Sequence, residues 1–154
     1  MDTARRADLI ARYRQGVAAV AEALDGTSDE LDRTPLGGWS ARMVVHHLAD
    51  SETNSYLRLR KLLAEDAPQI QGYDEARFAE VLHYDRPIEH SLAVFEAVRA
   101  SSSQLLDRMS DDDWTRSGTH SESGAYSVED WLEIYAEHAV AHADQITRAR
   151  AGKA

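Results

Sequence analysis

The chain has 154 residues, 43% of them hydrophobic and 29% charged, with only 3 Pro and 8 Gly; that length and balance predict one domain, 1–154, able to build its core without disulfides or a structural metal. It has no Cys, which excludes disulfide frameworks, thiolate nucleophiles and sulfur-ligated zinc, so any metal chemistry must use His and carboxylates and serves function rather than folding. Lys+Arg of 17 against Asp+Glu of 27 gives a net charge of -10, the wrong sign for a nucleic-acid or anionic-membrane binder, and without a signal-peptide core or a membrane-length apolar run the expected location is the cytoplasm.

Leu9, Tyr13, Val17, Val20 and Leu24 recur every three or four residues, which predicts a helix from residue 2 to about 25 with Gly26 as its stop. After Gly37-Gly38, Ser40 is placed to cap a long second helix through Val44, Leu48, Ser55, Leu59 and Leu62, which Pro68 ends. Tyr73 to His83 is expected to form a short extra helix. A third main helix begins with Pro87 behind Asp85 and carries Ile88, Leu92, Phe95, Val98, Leu105 and Met109, with Ser101-Ser102-Ser103 lowering its propensity without breaking it. Ser117 to Ser127 has turn composition and reads as an ordered loop or a small hairpin. The last helix starts at Ser127, with Glu129 and Asp130 in its first turn, and ends in Arg148, Arg150 and Gly152, so both ends suit the helix dipole. Four amphipathic helices without an internal repeat predict an all-α four-helix bundle with strand content near zero.

Seven His stand at 46, 47, 83, 90, 120, 138 and 142. His138 and His142 continue the apolar stripe Trp131, Ile134, Tyr135, Ile146 and Ala149, so both are expected to point into the bundle. An i, i+4 pair can bring two imidazole nitrogens to one ion at about 2.1 Å. The competing reading is a pair of hydrogen-bonded core histidines. Zincin chemistry is excluded, because Ala139 stands where HExxH needs its Glu. On the second helix His47 lies on or beside the inner face, while His46, about 100° round, is expected toward solvent or the flank of a neighbouring helix. Asp50 and Glu52 read as ordinary solvated carboxylates, and no general base can be assigned.

The segment GGWSARMVVHHLADSETNSYLRLRKLLAED, residues 37–66, with APQIQGYDEARFAE and the C-terminal YAEHAVAHADQI, resembles the DinB/YfiT-like superfamily of metal-binding four-helix proteins, its YfiT branch in particular. These motifs span residues from about 35 to 147. The resemblance implies a bundle with a short extra helix and a loop before the last helix, and a divalent ion, zinc or nickel, held by His47, His138 and His142. It prefers His47 to His46, since the family ligand directly precedes the Leu of the HLAD segment. Arg116 and His120 match an Arg-x-x-x-His seen before the last helix, where loop anchoring competes with substrate contact. The chain departs from the pattern at Glu52 and at Gln145, positions where relatives can carry additional His.

What the resemblance implies of function is an enzyme that transfers a low-molecular-weight thiol, of bacillithiol or mycothiol type, to a small electrophile. A thiol in an open metal position is deprotonated at neutral pH. The alternative is a hydrolase using water whose pKa zinc lowers to about 7; without a nameable base it ranks second. A third reading is a non-catalytic metal-binding stress-response module. The resemblance also suggests a homodimer.

Overall fold

The computed structural model describes residues 1–26, 28–35 and 38–153, so Gly37 of the Gly37-Gly38 pair before the second helix lies outside the described residues. Among those residues the elements follow in the order α1 (Thr3–Leu24), α2 (Ala41–Ala64), β1 (Gln69–Ile70), α3 (Glu75–Val81), α4 (Glu89–Leu106), α5 (Asp111–Trp114), β2 (Ser117–His120), β3 (Gly124–Ser127) and α6 (Val128–Arg150).

Three of the long helices start on side-chain caps. The Asp2 carboxylate accepts from the Arg5 N–H, Ser40 Oγ from that of Met43 and Ser127 Oγ from that of Asp130, and Asp130 reciprocates in a capping box. The start of α4 differs from the expected Pro87. An N-cap carbonyl must accept the first helical hydrogen bond, whereas the Arg86 carbonyl accepts from His46 Nε2 (2.9 Å) and Arg42 Nη1 (3.3 Å), so the helix begins two residues later at Glu89.

The core resolves into two apolar clusters. Leu9, Tyr13, Leu59, Leu62, Trp131 and Leu132 belong to one, and Val20, Val44, Leu48, Phe95, Ala139 and Ile146 to the other. Their order along each helix sets the topology: α1 and α6 run the same way, and α2 and α4 run the opposite way. Parallel neighbours such as α2 and α4 cannot be joined by a tight turn, so residues 65–88 form a crossover along the flank of α2. Tyr84 Oη donates to Asp50 (2.6 Å) and the Arg86 carbonyl is held by His46, which pins the crossover in place.

The small hairpin offered by Ser117–Ser127 forms, and β1 joins it, so the near-zero strand content expected is exceeded by a three-stranded sheet of order β1-β2-β3. β1 lies parallel to β2, with Ile70 opposite His120. β2 and β3 form an antiparallel hairpin, with Ser117 opposite Ser127 and His120 opposite Gly124. The strands are two to four residues long and rich in Gly, Ser and Thr, so they carry no apolar alternation; their pairing is a tertiary event. Gly118 is required here, since a Cβ would collide with the Pro68 carbonyl and ring.

Candidate metal centre

The structure brings His47 of α2 together with His138 and His142 of α6. Ring centroids lie 4.5 Å apart for His138 and His142, 4.7 Å for His47 and His142, and 5.4 Å for His47 and His138. One nitrogen of each lies within 4.8 Å of the other two, and among the described residues this is the group of three or more His and carboxylate side chains with metal-binding spacing. The 3.6-residue period stacks the two α6 rings one turn apart. Antiparallel packing of α2 on α6 adds the third.

The chemistry of this donor set fits a cation. Burial and the neighbouring His142 push His47 down to about 4, burial and both partner rings push His138 down to about 2, and burial lowers His142 against the opposing pull of Gln145. All three are therefore neutral near pH 7, with a lone pair each. His142 Nδ1 donates to Gln145 Oε1 at 2.7 Å, which leaves Nε2 as the ligating atom. His47 is 1% exposed and packs on Trp39 at 5.2 Å, yet its Nδ1 has no hydrogen-bond partner, and His138 Nδ1 is likewise buried and unpaired. Leaving buried polar atoms unmatched costs about 1–3 kcal/mol each. A histidine kept for the core would be expected to find a partner.

Other candidates fall in different places. His46 does not face solvent: it is fully buried on the α4 flank, where Nε2 donates to the Arg86 carbonyl and Nδ1 accepts from Ser91 Oγ at 2.8 Å. Both its nitrogens are occupied. Glu52 is not solvated either. It is buried at 0% exposure and paired with Arg99 Nε at 2.9 Å, an Arg that also donates to the carbonyls of Tyr13 and Tyr135. Burial pushes the Glu52 carboxyl up, and the guanidinium opposes that. Asp50 is half-buried under Tyr84. Arg116 has an anchoring task, donating to the Leu62 carbonyl in the last turn of α2 and to that of its C-cap Glu65, both at 2.8 Å. Ile134, assigned to the inner stripe by period, is 49% exposed.

A cavity of about 150 Å³ reaches His138 from outside, lined by Ser51, Arg58, Tyr73, Glu75, His120 and Glu122 among others. Burial raises Glu75 and lowers His120, with the Arg58 charge lowering both. Of these residues only His120 stands out in the sequence by position. Arg58, Tyr73 and Glu75 lie inside the family-like motifs without any spacing that marks chemistry, and the crossover and sheet bring them together. A larger cavity, about 450 Å³, opens among Asp32, Arg42, His83 and Tyr84. None of the three clustered His lines it, and its Arg42 is saturated by both oxygens of Asp32 (2.6 and 2.9 Å).

Comparison with known proteins agrees with this architecture. A protein of Oceanobacillus iheyensis, provisionally named a metal-dependent hydrolase, is 41% identical over 125 residues, covering 80% of this chain and 73% of the relative. One from Bacillus pumilus with the same provisional name is 36% identical over 143 residues, 91% of this chain and 80% of the relative. The solved structure of YfiT from Bacillus subtilis, described as a provisionally assigned metal-dependent hydrolase with an unusual four-helix bundle topology, superposes with a TM-score of 0.86 at 30% identity over 100% of this chain and 91% of that one. The family model of the DinB superfamily matches residues 5–146, and this chain is a member of the DinB superfamily with the YfiT four-helix fold.

Proposed function

We propose that His47, His138 and His142 hold one divalent ion, zinc or nickel, and that the protein is a hydrolytic enzyme acting on a small molecule. The observation that carries this reading is His47, a neutral histidine 1% exposed, without a hydrogen-bond partner for its buried Nδ1, facing two more neutral imidazoles. When bound, such an ion supplies Lewis-acid activation to whatever fills its remaining position, water or thiol. The residues of the chain do the rest. Gln145 orients His142, and Glu75 and Glu122 offer carboxylates that can take a proton at the cavity mouth.

On sequence, thiol transfer ranks first for want of a base and because of the branch resembled, and the carboxylates of the cavity remove the first of these grounds. The provisional names of the relatives point the same way. A non-catalytic module has no need of a cavity leading from exposed Glu75, Glu122 and Ile134 to His138.

Elemental analysis of the untagged protein beside His47→Ala, followed by turnover of activated esters and amides with and without added thiols, tests the reading. The expected result is about one equivalent of metal in the wild type and a helical variant with almost none, since the apolar core does not depend on the ion. Turnover should need no thiol. A wild type that stays metal-free after reconstitution overturns the metal site, and turnover seen only with a thiol overturns hydrolysis in favour of thiol transfer.

A further inference from the structure

The cavity beside His138 is polarised along its depth. Its inner wall carries donors. Arg58 is fixed by two hydrogen bonds, from Nη1 to Tyr135 Oη and from Nη2 to the Gln71 carbonyl, both 3.1 Å, and its Nε is buried without an acceptor. His120 is 8% exposed and stacks on Tyr126 at 5.5 Å. Its Nδ1 accepts from the Glu122 backbone N–H at 3.3 Å, so the neutral ring carries its proton on Nε2. The Tyr73 hydroxyl is buried and unpaired as well. Arg58, His120 and Tyr73 thus bring groups with polar hydrogens to the lining of one small space.

The mouth has the opposite sign. Glu75 and Glu122 are both exposed there, without a salt-bridge partner among the described residues, beside half-exposed Ile134. The Glu122 carboxylate lies against Gly72, where a Cβ would come within 2.5–2.7 Å of it. The space itself, about 150 Å³, holds only about five water-sized groups. A substrate places its reacting end inside and leaves the remainder across the acidic rim.

We propose that this cavity selects a small substrate bearing both a carbonyl or carboxylate and an amine, with the oxygen end directed inward to Arg58 and His120 and the ammonium end held between Glu75 and Glu122. The inference rests on the metal reading above, because the inward end lies beside His138. It adds a substrate class to that reading: amino-bearing carboxylic acid derivatives over neutral or purely anionic ones. The ammonium contact is partly solvated, so its contribution is modest, whereas donors on the inner wall act on every substrate alike.

Two hydroxamates that differ only in an amine separate these contributions. Cobalt(II)-loaded protein of known metal content is titrated with acetohydroxamate and with glycine hydroxamate, and the visible spectrum is followed. Glycine hydroxamate is expected to bind about fivefold more tightly. The Glu75→Gln/Glu122→Gln double variant, changed only at exposed positions, should bring the two affinities within about twofold. His120→Phe keeps the stacking on Tyr126, loses the Nε2 proton and should weaken both ligands about tenfold, with the ratio between them preserved. Equal affinities in the wild type, or an unchanged preference in the double variant, overturn the inference alone. Failure of either hydroxamate to bind fully loaded protein overturns the open metal site and the inference with it.

Discussion

Gln145 shows how one side chain beyond the candidate ligands acts on the site. A neutral imidazole presents its lone pair on whichever nitrogen lacks the proton, and the 2.7 Å contact to Gln145 Oε1 keeps the proton of His142 on Nδ1. Without that acceptor the ring can rotate or change tautomer, and the ion must select one arrangement on binding. Gln145→Leu is therefore expected to weaken metal affinity about 10–100-fold with the helical content intact. Competition against a chromophoric chelator measures this, and an affinity within about twofold of wild type would show that Gln145 has no orienting role.

Gly16 has the same importance between elements. α1 and α6 run parallel in close contact, and at Gly16 a Cβ would meet the Arg99 guanidinium and come within 2.7 Å of the Ala139 Cβ. Ala139 sits one residue past His138, so the approach of α1 is felt next to the candidate ligand. Alanine has the higher helix propensity, yet the overlap must be relieved by moving a helix. Gly16→Ala is expected to destabilise the fold by about 1–3 kcal/mol in urea unfolding, against the small gain that propensity alone predicts. A stabilised variant would mean that the two helices separate without cost.

Across the whole molecule the Arg99–Glu52 pair ties the bundle together. Arg99 projects from α4 to the Tyr13 carbonyl of α1, the Glu52 carboxylate of α2 and the Tyr135 carbonyl of α6, at 1% exposure. It lies by residue position between the two apolar clusters, at the level of the histidines, and its charge contributes to holding His138 neutral. Arg99→Met strands a buried carboxylate and should cost about 3–5 kcal/mol. Arg99→Met/Glu52→Leu removes both charges and is expected to recover a large part of that loss. Denaturant unfolding of the two variants and of Glu52→Leu closes the cycle, and an additive result would show that the pair is not coupled.

The sequence by itself determined the four long helices, their caps at Ser40 and Ser127, the short helix at Glu75–Val81 and the inward direction of His138 and His142, because each of these follows from local spacing and capping. It also singled out His47 as their companion, which the packing of α2 on α6 places beside them. Tertiary structure alone decided the roles that depend on distant partners. Glu52 and Asp50 have the composition of surface carboxylates, and only the positions of Arg99 and Tyr84, 47 and 34 residues away, bury them. The addition of β1 to the hairpin, the choice of helix flank over solvent for His46 and the cavity of Arg58, Tyr73, Glu75, His120 and Glu122 arise the same way, from a crossover and a strand pairing that leave no periodic trace in their residues.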